Sequence, residues 1–133
     1  MSREDRPLRW MPKTRESLSS FPEDVKDEIG FALRAVQKGE TPHCAKQLHG
    51  MPKQVWELCS DFDKDTYRAC YTVVLRDEIY VLHTFKKKSV KGGETPKPDI
   101  DLIKKRLKDA IAEDKARHEI PKQESPKQKR QRK

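Results

Sequence analysis

The chain has 133 residues, 33% hydrophobic and 39% charged, with a mean hydropathy of −1.04, a formal net charge of +8 and a pI near 9.4. That length fits one domain with a small core, and the charge favours anionic partners: nucleic acid, a membrane surface or an acidic protein. A membrane-spanning protein is excluded as a reading, because no run approaches the roughly 20 apolar residues a helix needs to cross the bilayer.

Leu8 and Trp10 alternate in PLRWM, which predicts a short first strand. Thr14 to Ser19 predicts a helical turn. Phe21-Pro22-Glu23-Asp24 reads as a helix start, with proline and acids suited to the first turn. Val25, Ile29, Ala32, Leu33 and Val36 then fall on one face, and Gly39 is the expected stop. Gly30 inside this helix costs about 1 kcal/mol against alanine, so a close helix–sheet contact is expected there. Residues 40–53 read as a loop rich in Pro, Gly and His.

A three-strand meander follows: Gln54 to Ser60, Tyr67 to Leu75, and Ile79 to Phe85. Two-residue turns are expected at Asp63-Lys64 and Asp77-Glu78. With those turns Cys59 opposes Arg68 and Thr72 opposes His83. One face then carries Trp56, Leu58, Tyr67, Ala69, Tyr71, Val73, Leu75, Tyr80 and Leu82 and packs on the helices. The other, less apolar face carries Val55, Glu57, Cys59, Arg68, Cys70, Thr72, Val81, His83, Phe85 and Lys87. A one-residue slip in either turn would scatter this second group.

After a basic loop, Pro98 to Arg117 predicts a helix with Ile100, Ile103, Leu107 and Ile111 on one face. Residues 1–117 are expected to form the domain and residues 118–133 a disordered basic tail. The tail holds six Lys/Arg against two Glu, half of the net charge. It is either a nucleic-acid arm or a solubilising segment. The opening MSREDRPLRW lacks the apolar stretch of a secretion signal, and Cys44, Cys59 and Cys70 form no CxxC pair. A cytoplasmic location with free thiols and no metal or other cofactor is therefore expected.

The chemistry-bearing residues lie between Asp65 and Lys88. Arg68 has two readings: a cross-strand ion pair with Glu57, or a planar fork that stabilises charge on a scissile phosphate. His83 is either a half-buried satisfied side chain or a general acid or base. Lys86, Lys87, Lys88 and Lys91 are either a solvated strand end or a phosphate-tracking edge. Alternation keeps the three consecutive lysines from pointing into one site. His43 and His49 sit in a loop and have weaker claims, and His118 borders the tail.

Phe21-Pro22-Glu23-Asp24-Val25, Val55-Trp56-Glu57-Leu58, Tyr67-Arg68-Ala69-Cys70-Tyr71, Val81-Leu82-His83-Thr84-Phe85-Lys86-Lys87-Lys88 and Thr95-Pro96 occur in this order. The set resembles the phage-derived HigB-like toxins of the RelE/ParE superfamily over roughly Leu8 to Ala112. The resemblance implies an α+β fold: N-terminal helices on a curved, mainly antiparallel sheet, plus a C-terminal helix. It implies a toxin of a type II toxin–antitoxin system, neutralised by a helix-turn-helix antitoxin. RelE-like members are ribosome-dependent mRNA endoribonucleases that need no metal, because the ribose 2′-OH attacks the adjacent phosphate.

By position, Arg68 matches the phosphate-contacting arginine and Lys86 to Lys88 match the basic cluster. His83 and Lys87 join Arg68 as catalytic candidates, Lys86, Lys88 and Lys91 are the RNA-phosphate candidates, and Glu57 is a supporting residue. Two departures stand out: Cys59 replaces an arginine found in many relatives, and no tyrosine follows Tyr80 to serve as the general acid of RelE-type members. The alternative class is a non-enzymatic toxin or binding protein such as a ParE-like gyrase inhibitor.

Overall fold

The computed structural model describes residues 5–48, 51, 54–73, 78–88 and 95–123. Asp63 and Lys64 set the first hairpin: both have positive φ (51° and 72°), as a two-residue type I′ turn requires. The turn pairs Phe62 with Asp65 and Cys59 with Arg68, which is the expected register. It joins β3 (Val55–Phe62) to β4 (Asp65–Val73). β5 (Ile79–Lys88) runs antiparallel to β4, and β1 (Leu8–Trp10) lies parallel to β5 at one edge. β2 (Ala45–Gln47) closes the other edge against β3, so part of the segment expected to be loop is a short strand. The sheet order is β1-β5-β4-β3-β2.

α1 (Thr14–Ser19) and α2 (Glu23–Gln37) form where expected. Gly39 follows α2 with φ 92°, a left-handed stop that favours glycine. Val25, Ile29, Ala32, Leu33 and Val36 pack on Leu58, Tyr67, Ala69, Tyr71, Ile79 and Val81. α3 (Lys97–Gln123) covers the opposite side of the sheet: Ile103, Leu107 and Ala110 pack with Val55, Cys70, Tyr80 and Leu82. The fold is thus α+β, with one mixed sheet between helices. α3 extends past the expected end at Arg117, so the boundary placed there falls within a helix. Residues 124–133 of the expected tail lie outside the described residues.

The second hairpin differs from expectation. Val73 pairs with Ile79, so five residues separate the strands and Asp77-Glu78 is not a two-residue turn. Glu78 is buried and pairs with Arg9 at 3.2 Å. Cys70, not Thr72, opposes His83, and a bulge interrupts the ladder between Cys70 and Tyr71. A bulge inserts one unpaired residue and reverses the facing of what lies beyond it. Val81 therefore joins the α2 side, while Tyr80 and Leu82 join the α3 side, the reverse of the expected assignment.

Two helix positions also depart. Ile111 is 36% exposed, and the buried stripe of α3 continues instead through Ala110 and Asp114. Asp114 accepts a hydrogen bond from the buried Tyr80 hydroxyl at 3.2 Å, so the polar tip of Tyr80 selects an acid at this position. Burial raises the Tyr80 phenol to about 12. Gly30 does not mark a close approach: it is exposed, and a Cβ built there meets nothing within 4 Å. Gly30→Ala is therefore expected to stabilise the fold by about 0.5–1 kcal/mol. Thermal unfolding followed by circular dichroism checks this, and an unchanged or lowered midpoint contradicts it.

Candidate active site at the start of the C-terminal helix

Arg68 sits mid-strand in β4, and the β3–β4 register puts Glu57 diagonally across from it. Arg68 Nη1 donates to Glu57 Oε2 at 3.0 Å, with the two side chains 5% and 4% exposed. Thr95, just before α3, accepts from the same Nη1 at 3.0 Å and donates to the same Oε2 at 3.0 Å. The ion-pair reading of Arg68 is thus what the geometry contains. Its guanidinium is held inside the molecule rather than presented to solvent.

His83 lies one step along the same face of the sheet. Its Nε2 is 2.7 Å from Asp99 Oδ1, and its ring stacks on Phe85 with centroids 4.5 Å apart and planes 17° apart. A carboxylate only accepts, so the neutral ring carries its proton on Nε2 and leaves Nδ1 as a lone-pair nitrogen. Burial lowers the His83 pKa below 6.5, with Arg106 acting the same way and Asp99 opposing both. Near neutral pH the ring is therefore uncharged, oriented by a carboxylate and ready to accept a proton.

The expected grouping of Arg68, His83, Phe85 and Lys87 on one face holds, although the register does not. Beyond the bulge the observed pairing is offset from the expected one by two residues, which preserves alternation. Arg68 faces Phe85, and Lys87 faces Thr66 two pairs further on, hence on the same side. What differs is the cover: this face meets α3 and is not open. Lys86 points to the other face, is 46% exposed and lies 3.5 Å from Asp65. Lys88 ends β5 opposite Asp65, while Lys91 and His49 lie outside the described residues. His43 is exposed on the α2 side, and His118 lies in α3.

Thr95 and Asp99 complete the constellation without having been singled out as site residues. Asp99 stands in the first turn of α3, where an acid is already explained by the helix dipole. The cysteines are poor nucleophiles: burial and the Glu57 charge push Cys59 up to about 11, and burial pushes Cys70 well above its usual value. Among the described residues, no group of three or more His, Cys, Asp or Glu side chains gathers to hold a metal, and no helix is long and apolar enough to cross a membrane.

Arg68→Ala leaves the Glu57 carboxylate buried without its main partner and is expected to cost about 3–5 kcal/mol. Replacing both residues with apolar side chains (Glu57→Leu with Arg68→Met) should recover most of that loss. Urea unfolding of the three chains checks this, and full stability in Arg68→Ala contradicts the buried pair. His83 makes a separate, pH-dependent contribution. Its folded pKa lies below the unfolded value of 6.5, so the unfolded chain binds the proton first. Its stabilisation is complete above about pH 6.5 and declines as pH falls through the lower folded value. His83→Gln should flatten the fall in stability between about pH 7 and 5; an unchanged slope contradicts the assignment.

Residues 16–108 match the family described as phage derived protein Gp49-like (DUF891). No curated protein sequence matches the chain. Solved structures of similar fold include a free-state form of the Escherichia coli toxin RelE with two arginines replaced by alanine. That likeness has a TM-score of 0.52 at 14% identity and covers 79% of this chain and 97% of that one. With the matched residues spanning most of the domain, the chain belongs to the phage-derived Gp49-like family and carries a RelE-like toxin fold.

Proposed function

We propose that this chain is the toxin of a type II toxin–antitoxin pair and acts as a ribosome-dependent mRNA endoribonuclease in the cytoplasm. The observation that carries the reading is the His83–Asp99 pair on the sheet face that holds Arg68, in which Nε2 meets the carboxylate and Nδ1 is left as the nitrogen that would take a proton. In this scheme Nδ1 accepts the proton of a ribose 2′-OH. The 2′-oxygen forms a bond to the adjacent phosphorus, and the P–O5′ bond breaks. The products are a 2′,3′-cyclic phosphate and a 5′-hydroxyl whose proton comes from a cationic donor. Lys87, on the same sheet face, is one candidate, and the ribosome is the other source. Lys86, Lys88 and Lys91 hold flanking phosphates by charge.

Arg68 enters this scheme as a group locked to Glu57, so its own substitution reports stability as much as chemistry. The tied guanidinium favours, as a second reading, a non-enzymatic toxin of the gyrase-inhibiting kind. His83→Gln and Asp99→Asn are the cleaner tests, since both leave the Arg68–Glu57 pair in place. Loss of the general base is expected to lower cleavage by about 10²–10⁴-fold, with the far-UV circular dichroism spectrum unchanged. Mapping of mRNA 5′ ends after induction should give codon-phased cuts for the native chain and none for His83→Gln. Intact transcripts with an SOS response would instead assign the gyrase reading.

A further inference from the structure

On the α2 side of the sheet, away from His83, a groove of about 290 Å³ runs between α2 and the segment leading into β2. Ala32, Ala35, Pro42 and Cys44 line it, and Phe31 stands at its edge with 79% of its surface exposed. Phe31 is the most exposed large apolar side chain among the described residues. Its place on α2 is not explained by the core, which the helix meets through Val25, Ile29, Ala32, Leu33 and Val36. The charge here runs against the whole molecule. The chain carries +8, yet Glu28 and Glu40 line the groove with no lysine or arginine among its lining residues.

We propose that this groove docks a cationic amphipathic segment of a partner protein: one apolar side chain beside Phe31, and a Lys or Arg against Glu28 and Glu40. The inference rests on the toxin reading, in which the partner is the antitoxin, and it names where and with what chemistry that partner binds. Two other occupants fit less well. A second copy placed symmetrically would set Glu28 and Glu40 against the same acids. The chain's own residues 124–133, ESPKQKRQRK, offer positive charge but no apolar anchor beyond Pro126. An aromatic edge with a small acidic rim suits an amphipathic helix laid into a groove, with one apolar anchor supplying most of the affinity.

The test titrates the full chain, by calorimetry, with the antitoxin that the toxin reading implies, a full-length helix-turn-helix protein. Phe31→Lys is expected to weaken binding about thirtyfold or more, and Glu40→Lys about tenfold. Phe62→Ser, at the exposed hairpin tip, should leave affinity unchanged, and Phe31→Lys should still arrest growth. Native affinity in Phe31→Lys with growth arrest retained overturns the docking surface and leaves the toxin reading standing. Absence of both binding and growth arrest in the native chain overturns the toxin reading and the docking surface with it. Two results would reassign the groove to another occupant and also overturn the proposal: a dimer that Phe31→Lys dissolves, or tighter partner binding once residues 124–133 are deleted.

Discussion

Arg68 and Glu57 bring opposite charges together where almost no solvent reaches, and Thr95 completes a three-way contact with both. Isolated charges are not tolerated at such depth, so each residue of the pair obliges the other. Three pieces of chain depend on it: β3 through Glu57, β4 through Arg68 and the entrance to α3 through Thr95. His83–Asp99 repeats the connection one strand over, tying β5 to the first turn of α3. The C-terminal helix is thus held at its start by polar contacts and along its length by Ile103, Leu107 and Ala110. Hydrophobic burial alone would leave its rotation and start less well defined, because the apolar stripe is narrow and interrupted by Asp114.

The bulge in the β4–β5 ladder decides which chemistry is available on which face. Without it, Tyr80 and Leu82 would occupy the α2 side and Val81 the α3 side. With it, Tyr80 reaches Asp114 on α3, and His83 still falls beside Cys70 on the face that holds Arg68. One inserted residue therefore lets a strand supply core to both helices and keep its histidine at the site.

Much of this was legible in the residues. Helical spacing placed α2, Gly39 marked its end, and Asp63-Lys64 set the first hairpin in its observed register. The second hairpin was not legible, because no dipeptide between Val73 and Ile79 demands a tight turn and a bulge leaves no compositional mark. The grouping of Arg68 with His83 survived only because the error beyond the bulge was an even number of residues. The apolar stripe of α3 announced a packed helix without saying which side of the sheet it covers. That is why a face taken as the less apolar one is in fact closed. Asp99 was hidden for a related reason: an acid in a helix's first turn already has a sufficient explanation in the dipole. Gly30 invited a packing explanation that its open surroundings remove.

The closed face bears directly on how an enzyme of this design would meet its substrate. Arg68 has two kinds of partner, and they are not equally displaceable. Glu57 is charged, buried and opposite in sign, so expelling it would strand a carboxylate in the interior. Thr95 is neutral and precedes the helix, and a phosphate oxygen offers the guanidinium a full negative charge that the Thr95 hydroxyl does not. A phosphate arriving at this face would therefore exchange with Thr95 and leave Glu57 to orient the guanidinium. The same arrival would bring negative charge toward His83, favour its protonated form and strengthen its hold on Asp99. Proton uptake by the imidazole and phosphate binding at the guanidinium would then reinforce each other, which is the coupling a 2′-OH attack needs. The His83–Asp99 contact ties β5 to α3 in either reading, and a neutral imidazole oriented by a carboxylate is in addition what a proton transfer would require.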